Sequence, residues 1–208
     1  MENVYIDSSA ITQDALSRIR DKTTPTPVFR QYADRIATQL FSFALSSLQG
    51  DSKDIETPIT KTTGQFLSHN MVFVTILRAG LSLLPQALAV LPGIQVGFVG
   101  LKRDEKTAVA KEYYANLPAI TPDTTVIVGD PMLATGGSMH HTLGKIAAYS
   151  PKEIRIVTVI CAPEGIAKIQ ETFPHIAIFT AGVDSNLNDK QYIVPGLGDF
   201  GDRYFGTE

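Results

Sequence analysis

Residues 125–138 read Thr-Val-Ile-Val-Gly-Asp-Pro-Met-Leu-Ala-Thr-Gly-Gly-Ser, and this stretch carries the strongest structural signal in the chain. Its β-branched run, residues 126–128, is typical of a buried parallel strand, and Asp130 and Pro131 follow at the end of that strand. Small residues and hydroxyls come next, before a helical pattern over residues 139–149. The stretch therefore predicts a strand, a loop and a helix in direct succession.

The loop of this unit has the composition of a phosphate site. Gly136-Gly137 allows successive N–H groups to turn toward one point at a helix start, where the partial positive charge favours an anion, and Thr135 and Ser138 add hydroxyl donors. The chain has here neither the lysine of a Walker A loop nor the Gly-x-Gly-x-x-Gly of a dinucleotide fold. Two interpretations stay open: a lysine-free monophosphate cradle, with Asp130 holding ribose hydroxyls or a metal-bound water, or a tight turn that needs glycine only for its backbone.

Composition limits the class of protein. A chain of 208 residues with 44% apolar residues predicts one α/β domain, residues 1–208. A net charge of −3 gives no general attraction to nucleic acid or to an anionic membrane, so we expect neither as a partner. We find no apolar run of membrane-spanning length and no signal peptide, so we expect a cytoplasmic protein. The single cysteine, Cys161, is expected to be a buried, inert thiol.

Periodicity predicts two N-terminal helices within residues 1–50 and a mainly parallel sheet after them. The first helix covers residues 9–20, and the second is capped by Thr26 and runs to Gly50. The threonine-rich residues 54–67 predict an edge hairpin. The predicted strands are residues 71–77, 95–101, 126–128, 153–160 and 177–181, and crossover helices follow over 79–91, 139–149 and 166–172. About five strands flanked by helices make this an α/β fold.

Two polar segments interrupt this pattern. Arg78 stands at the carboxyl end of the second apolar run, where an arginine offers a planar donor fork to a diphosphate, and Ala79 and Gly80 permit close approach of the backbone. Residues 102–114 are too polar for the core and too long for a simple connection, so they predict either a flexible lid or a solvated surface loop. The tail, residues 183–208, contains enough apolar residues to dock on the domain.

Residues 130–138 resemble the signature for phosphoribosyl diphosphate (PRPP) of type I phosphoribosyltransferases, in the form found in the uracil phosphoribosyltransferase family. Three further motifs resemble the same family in the same order, and together they cover nearly the whole chain: Leu77-Arg78-Ala79-Gly80-Leu81, Ala162-Pro163-Glu164-Gly165-Ile166 and Pro195-Gly196-Leu197-Gly198-Asp199.

The resemblance implies a type I phosphoribosyltransferase fold with a flexible lid and a base-binding hood formed by residues 183–208. It implies that uracil and PRPP react to give UMP and diphosphate, with Mg²⁺ carried by PRPP and no metal bound directly by the protein. GTP is then a candidate effector, and a homodimer or homotetramer is expected. The implied catalytic residues are Arg78, Arg103 and Asp130. The implied PRPP-binding residues are these three with Pro131, Met132, Leu133, Ala134, Thr135, Gly136, Gly137, Ser138 and Asp199, and the implied uracil-binding residues are Ile193, Gly198, Asp199 and Phe200.

The chain departs from the family at Gln191, where glycine is more frequent, and at Phe200, where alanine is more frequent. We expect the Phe200 ring to crowd the base or to cover the mouth of its pocket. Two alternative functions remain: a nucleotide-sensing RNA-binding regulator on the same fold, which the pI near 5.8 disfavours, and a catalytically silent relative. Arg78, Arg103, Asp130 and Asp199 are all present, which argues against the second alternative.

Overall fold

The computed structural model describes residues 2–67, 70–103 and 110–207, with the side chains of Arg103 and Ala110 left out. Within those residues the strands are β1 (Val4–Ile6), β2 (Asp51–Glu56), β3 (Lys61–Phe66), β4 (Met71–Leu77), β5 (Gln95–Arg103), β6 (Ala110–Asn116), β7 (Thr125–Gly129), β8 (Met132–Leu133), β9 (Glu153–Cys161), β10 (Ala177–Val183), β11 (Asn186–Leu187) and β12 (Ile193–Val194). The helices are α1 (Ala10–Arg20), α2 (Thr26–Leu45), α3 (Leu84–Val90), α4 (Gly137–Ala147), α5 (Pro163–Thr172) and α6 (Phe200–Phe205), and a 3₁₀ turn (Ala79–Leu83) precedes α3.

The central sheet has the strand order β1-β10-β9-β7-β4-β5-β6, and the short β8 pairs with β9 beside this path. All pairs are parallel except β5 with β6, so the predicted α/β class is confirmed. The five predicted strands are β4, β5, β7, β9 and β10, which form the middle of the sheet. The described sheet is wider than predicted, because β1, β6 and β8 join it.

Helices cover both faces of this sheet. On one face α1, α2, α3 and α6 form a core with side chains such as Phe73 of β4 and Ile127 of β7. On the other face α4 and α5 pack on the alternate residues of the same strands, among them Val74 and Val128. Strands that are buried on both faces have continuous apolar sequences, and for this reason β4 and β7 could be predicted from the sequence.

The second helix differs from its prediction at both ends. Pro25, not Thr26, is the N-cap of α2, and Thr26 is its first helical residue. The helix ends at Leu45 rather than at Gly50, because Ser46 and Leu48 close tight turns onto Phe43 O and Leu45 O.

Two antiparallel strand pairs lie in the segments that were predicted as a hairpin and as a lid. The predicted hairpin exists as β2 and β3, but these strands pair only with each other, so the prediction of a sheet-edge position is wrong. In the predicted lid segment, β5 and β6 form an antiparallel arm in which Leu101 lies opposite Glu112. The arm replaces part of the loop that was predicted there, and the rest of the lid, residues 104–109, lies outside the described residues.

Two further features complete the fold. The tail is docked as predicted, with Ile193, Leu197 and Phe200 no more than 5% exposed. No helix within the described residues is long and apolar enough to cross a membrane.

Candidate active site

The carboxyl ends of β4 and β7 lie side by side, because the two strands are parallel neighbours. Arg78 follows β4 directly and Asp130 follows β7. Open α/β sheets bind their ligands outside this edge. The C-terminal tail crosses the same edge, and a cavity of about 370 Å³ lies between it and the strand ends, lined by Ala79, by residues within 130–134 and by tail residues between 190 and 201. The fold thus brings three distant segments to one cavity.

Asp130 is the acid at the centre of this cavity. Burial raises the pKa of its carboxyl to about 7, a hydrogen bond from the Met132 N–H opposes that rise, and the charge of Asp199 adds to it. At neutral pH the protonated and the charged form of this carboxyl are therefore both populated. The charged form is a double acceptor that suits neighbouring hydroxyls of a sugar.

Asp199 lies on the tail side of the same cavity. It is also the N-cap of α6, and its Oδ1 accepts a hydrogen bond from the Asp202 N–H at 2.9 Å. This capping bond orients the carboxylate before any ligand is present. The structure therefore brings together the two acids that the sequence placed 69 positions apart, at 130 and 199.

Residues 134–138 form the predicted turn into α4. Gly136 is the N-cap with a φ of 74°, a left-handed conformation that glycine adopts without strain. The first intrahelical bond runs from the His140 N–H to Gly136 O at 2.8 Å. The N–H groups of a first helical turn have no partner inside the helix, so such a turn suits an anion, and here the Gly137 N–H makes a long 3.5 Å hydrogen bond to Thr135 Oγ1.

The Ala162–Ile166 motif packs beneath this turn. A Cβ on Gly165 would lie 2.4 Å from Ala134 O and 2.8 Å from Leu133 O, so only glycine permits the contact. One turn further along α5, Lys168 places its Nζ 4.0 Å from where a Cβ on Gly137 would lie. Sequence reasoning missed Lys168, because the lysine-free loop gives no sign that another helix brings an ammonium group beside it.

Arg78 opens the second loop of this edge. Its side chain is 74% exposed, and its Nη2 lies 3.8 Å from Asp202 Oδ1. Gly80 packs on the strands below, where a Cβ would lie 2.5 Å from Thr75 Oγ1 and 2.7 Å from Gly129 O. The guanidinium is thus open to a ligand while the backbone beside it is packed. Arg103 ends β5, and its side chain lies outside the described part of the chain.

An ion pair that the sequence did not reveal fixes the tail. Arg20 Nη2 lies 2.6 Å from Asp184 Oδ1, and Arg20 Nη1 donates to Gly196 O at 2.7 Å. The other carboxylate oxygen of Asp184 accepts the Gly196 N–H at 2.8 Å. The three residues tie α1 to the turn before Gly198, and they hold the predicted uracil-binding backbone against the domain.

The expected position of the Phe200 ring is wrong. The ring is 1% exposed and packs edge-on against Phe29 with centroids 5.2 Å apart, and it stacks on Tyr204 at 5.9 Å. The ring is drawn into the core because aromatic partners on α2 and α6 enclose it. The ring therefore lies in the core and does not cover the mouth of the cavity.

Lys190, Gln191 and Tyr192 line the cavity and were not predicted as site residues. The Asn188 side chain sets their conformation, since its Oδ1 accepts the N–H groups of Lys190 at 2.9 Å and Tyr192 at 3.0 Å. Gln191 adopts a φ of 63°, a left-handed conformation that glycine reaches more easily than glutamine. The departure noted in the sequence therefore puts a carboxamide side chain at the rim of the site.

Within residues 2–67, 70–103 and 110–207, no group of three His, Cys, Asp or Glu side chains is placed to hold a metal ion. Cys161 is buried as expected, and burial raises the pKa of its thiol to about 12.

Solved phosphoribosyltransferases share this architecture. Adenine phosphoribosyltransferase from Trypanosoma brucei matches with a TM-score of 0.63 over 96% of this chain and 89% of its own, at 11% identity, which identifies the fold as that of the type I phosphoribosyltransferases. Within that class, the chain belongs to the uracil phosphoribosyltransferase family, whose sequence model matches residues 6–207.

Full-length relatives agree with this assignment. The uracil phosphoribosyltransferase of Finegoldia magna is 44% identical over 100% of both chains. A solved structure of a protein from Aquifex aeolicus is 38% identical, covers 99% of each chain and has a TM-score of 0.93.

Proposed function

We propose that this protein transfers the phosphoribosyl group of PRPP to N1 of uracil, giving UMP and diphosphate with inversion at the anomeric carbon, as a step of pyrimidine salvage in the cytoplasm. The observation that carries the proposal is family membership over nearly the whole chain. The cavity adds a physical reason, because an acid, the loop that leads into α4 and a docked tail converge there.

The ribose phosphate lies along the strand edge in this proposal. The N–H groups of residues 134–138 hold the 5′-phosphate, and Pro131, Met132 and Leu133 carry the chain between that loop and Asp130. Asp130 accepts from the ribose hydroxyls, and Asp199 faces PRPP from the other side. Fixing both ends of the sugar converts binding energy into alignment of the anomeric carbon with the base.

The diphosphate leaves toward Arg78. As its bond to ribose lengthens, negative charge grows on the leaving group, and a guanidinium held beside the diphosphate would stabilise that charge. Arg103, at the end of the β5–β6 arm, supplies a second guanidinium in this proposal, and the lid beyond it excludes water.

Magnesium enters as part of the substrate. Two carboxyl groups, those of Asp130 and Asp199, line the cavity, and carboxylate oxygens suit a Mg²⁺ ion that PRPP carries. Bound Mg²⁺ neutralises charge on the diphosphate. Asp130 and Asp199 would accept hydrogen bonds from ribose hydroxyls or from water on that Mg²⁺, without serving as a metal centre of the protein.

The tail reads uracil with its backbone. Ile193, Gly198, Asp199 and Phe200 line the cavity, and the Phe200 ring is 1% exposed. In this proposal the main-chain groups of these residues face the base. An N–H group directed at O4 of uracil meets a second donor when cytosine, with its amine, binds instead. An unpaired donor in a closed site weakens binding strongly, so backbone readout selects uracil.

A homodimer or homotetramer is part of the proposal. The β2–β3 hairpin stands outside the central sheet, and a two-stranded sheet alone is marginally stable in water. It nevertheless exposes Ile55, Ile59 and Phe66. A second copy of the chain would cover these side chains. GTP is a candidate effector, and its addition to the turnover assay with uracil and PRPP tests whether it changes the rate.

The deciding experiment is turnover of PRPP with a panel of free bases. We expect uracil to be preferred over cytosine by at least about a thousandfold in kcat/KM, which corresponds to two mismatched groups in the pocket. Adenine and hypoxanthine serve as controls of size. Comparable use of cytosine would refute backbone readout, and turnover of no base would refute the proposed activity.

A further inference from the structure

Thr75 is a buried threonine whose hydroxyl has no hydrogen-bond partner among the described residues. It lies in β4 and is fully buried. Other buried threonines are satisfied: Thr180 Oγ1 donates to Val159 O at 3.1 Å, and Thr142 Oγ1 donates to Ser138 O at 3.0 Å. A buried polar group without a partner costs free energy, so its presence at one particular place calls for a physical reason.

The place is directly beneath the Arg78 loop. Thr75 Oγ1 lies 2.5 Å from where a Cβ on Gly80 would be, beside Gly129 O at the end of β7. The hydroxyl therefore touches the backbone of the loop to which the proposed function assigns the diphosphate. Two carbonyls of this loop are already occupied, since Arg78 O accepts the Leu81 N–H and Ala79 O accepts the Ser82 hydroxyl. The N–H groups at the start of the 3₁₀ turn have no partner within it.

We propose that Thr75 is a positioning residue of the diphosphate site: its hydroxyl becomes a hydrogen-bond acceptor for the main-chain N–H of Gly80 when the loop moves onto a bound diphosphate. The inference rests on the proposed assignment of residues 78–80 to diphosphate. Its physical basis is the difference between two states. A bond that exists only in the bound state favours that state, because the unsatisfied hydroxyl raises the free energy of the unbound one.

The side chain of Arg78 is consistent with two arrangements of the loop. In the arrangement described, the guanidinium is 74% exposed and approaches Asp202 no closer than 3.8 Å. Closing the loop on a diphosphate would bring the guanidinium to the ligand, and Thr75 would secure the backbone behind it.

The test compares Thr75→Val, which keeps the shape and removes the hydroxyl, with the wild type. We expect the variant to have a higher Tm, because the free protein loses an unsatisfied group, and to bind inorganic diphosphate about tenfold more weakly by calorimetry. Thr180→Val is the matched control: it removes a bonded hydroxyl, so it should lower the Tm and leave diphosphate affinity unchanged.

A second pair guards against misfolding of the valine variant. Thr75→Ser and Thr75→Ala both lack the methyl group and differ only in the hydroxyl. We expect the serine variant to bind diphosphate like the wild type and the alanine variant to bind it about tenfold more weakly. Equal diphosphate affinity in this pair, or wild-type affinity in Thr75→Val, would overturn the inference.

Arg78→Ala separates this inference from the proposal beneath it. Loss of diphosphate binding in Arg78→Ala together with wild-type binding in Thr75→Val would refute only the role of Thr75. Unchanged diphosphate binding in Arg78→Ala would refute the assignment of the loop itself.

Discussion

Asp130 shows how neighbours convert a common side chain into a specialised one. Its place after a buried strand was visible in the sequence, but its pKa was not, because burial and the distant Asp199 set it together. The raised pKa also affects stability. The folded protein holds a proton on this carboxyl between pH 3.8 and about 7 that the unfolded chain releases, so stability falls as the pH rises through this window.

Asp130→Asn keeps the shape and removes the charge. We expect kcat/KM at pH 8 to fall tenfold or more, because the amide cannot replace a charged double acceptor for the ribose. In wild type, PRPP affinity should weaken below pH 7, as the proton on Asp130 must be displaced, and the variant should lack this contribution.

Calorimetry of PRPP binding to both proteins across this pH range checks the expectation, and the titration of PRPP itself cancels in their ratio. A constant affinity ratio would contradict it. A near-UV circular dichroism spectrum of Asp130→Asn identical to that of the wild type would show that the variant is folded.

Lys168 is the residue that three-dimensional packing adds to the phosphate loop. We expect Lys168→Ala to raise KM for PRPP about three- to tenfold and to change kcat little, because an ammonium beside an anion contributes mainly ground-state binding. Lys152→Ala is the control, because this exposed lysine precedes β9 at the amino ends of the strands, away from the site. Steady-state kinetics at low and high salt measure both variants, and an unchanged KM in Lys168→Ala would remove this lysine from the site.

At the scale of elements, burial decided what the sequence could predict. The strands β4 and β7 are enclosed on both faces and read as apolar runs, so their prediction was confirmed. The three-residue β1 and the polar β6 lie at the sheet edges and were missed, since edge strands need no such run. Contacts between distant segments, such as the pair of Arg20 and Asp184, leave no local pattern at all.

Helix α5 connects the phosphate loop to the hood. Its Gly165 packs on Ala134 O, and its Glu164 Oε1 accepts the Leu187 N–H of β11 at 2.9 Å. We expect Glu164→Ala to raise KM for uracil about threefold or more while leaving PRPP affinity near wild type, because only the hood loses its attachment.

Glu164→Gln retains an acceptor oxygen and should behave like wild type, and Glu171→Ala on the same helix is a surface control. Calorimetry and initial rates give the two affinities. Equal weakening of both substrates would show that Glu164 supports the whole edge rather than the hood.

At the scale of the molecule, the β2–β3 hairpin is the part that the layers do not support. Ile59 at its turn is 91% exposed, which a second copy of the chain would explain. We expect the wild type to sediment as a dimer or tetramer, and Ile59→Asp to shift it toward the monomer at equal concentration. Ile11→Asp, on an exposed isoleucine of α1, should leave the mass unchanged. A monomeric wild type would refute the oligomer, and an unaltered Ile59→Asp would place the interface elsewhere.

The packing of α5 fixes the distance between the phosphate loop and the hood. The first turn of the ten-residue helix α5 contacts the phosphate loop through Gly165 and the hood through Glu164. The span between the two is therefore set by a rigid body and not by the ligand. A nucleotide analogue with one extra methylene between ribose and phosphate could place its phosphate in the loop or its base under the hood, but not both at once. It would therefore bind poorly because of its length, although it carries the same chemical groups as the nucleotide.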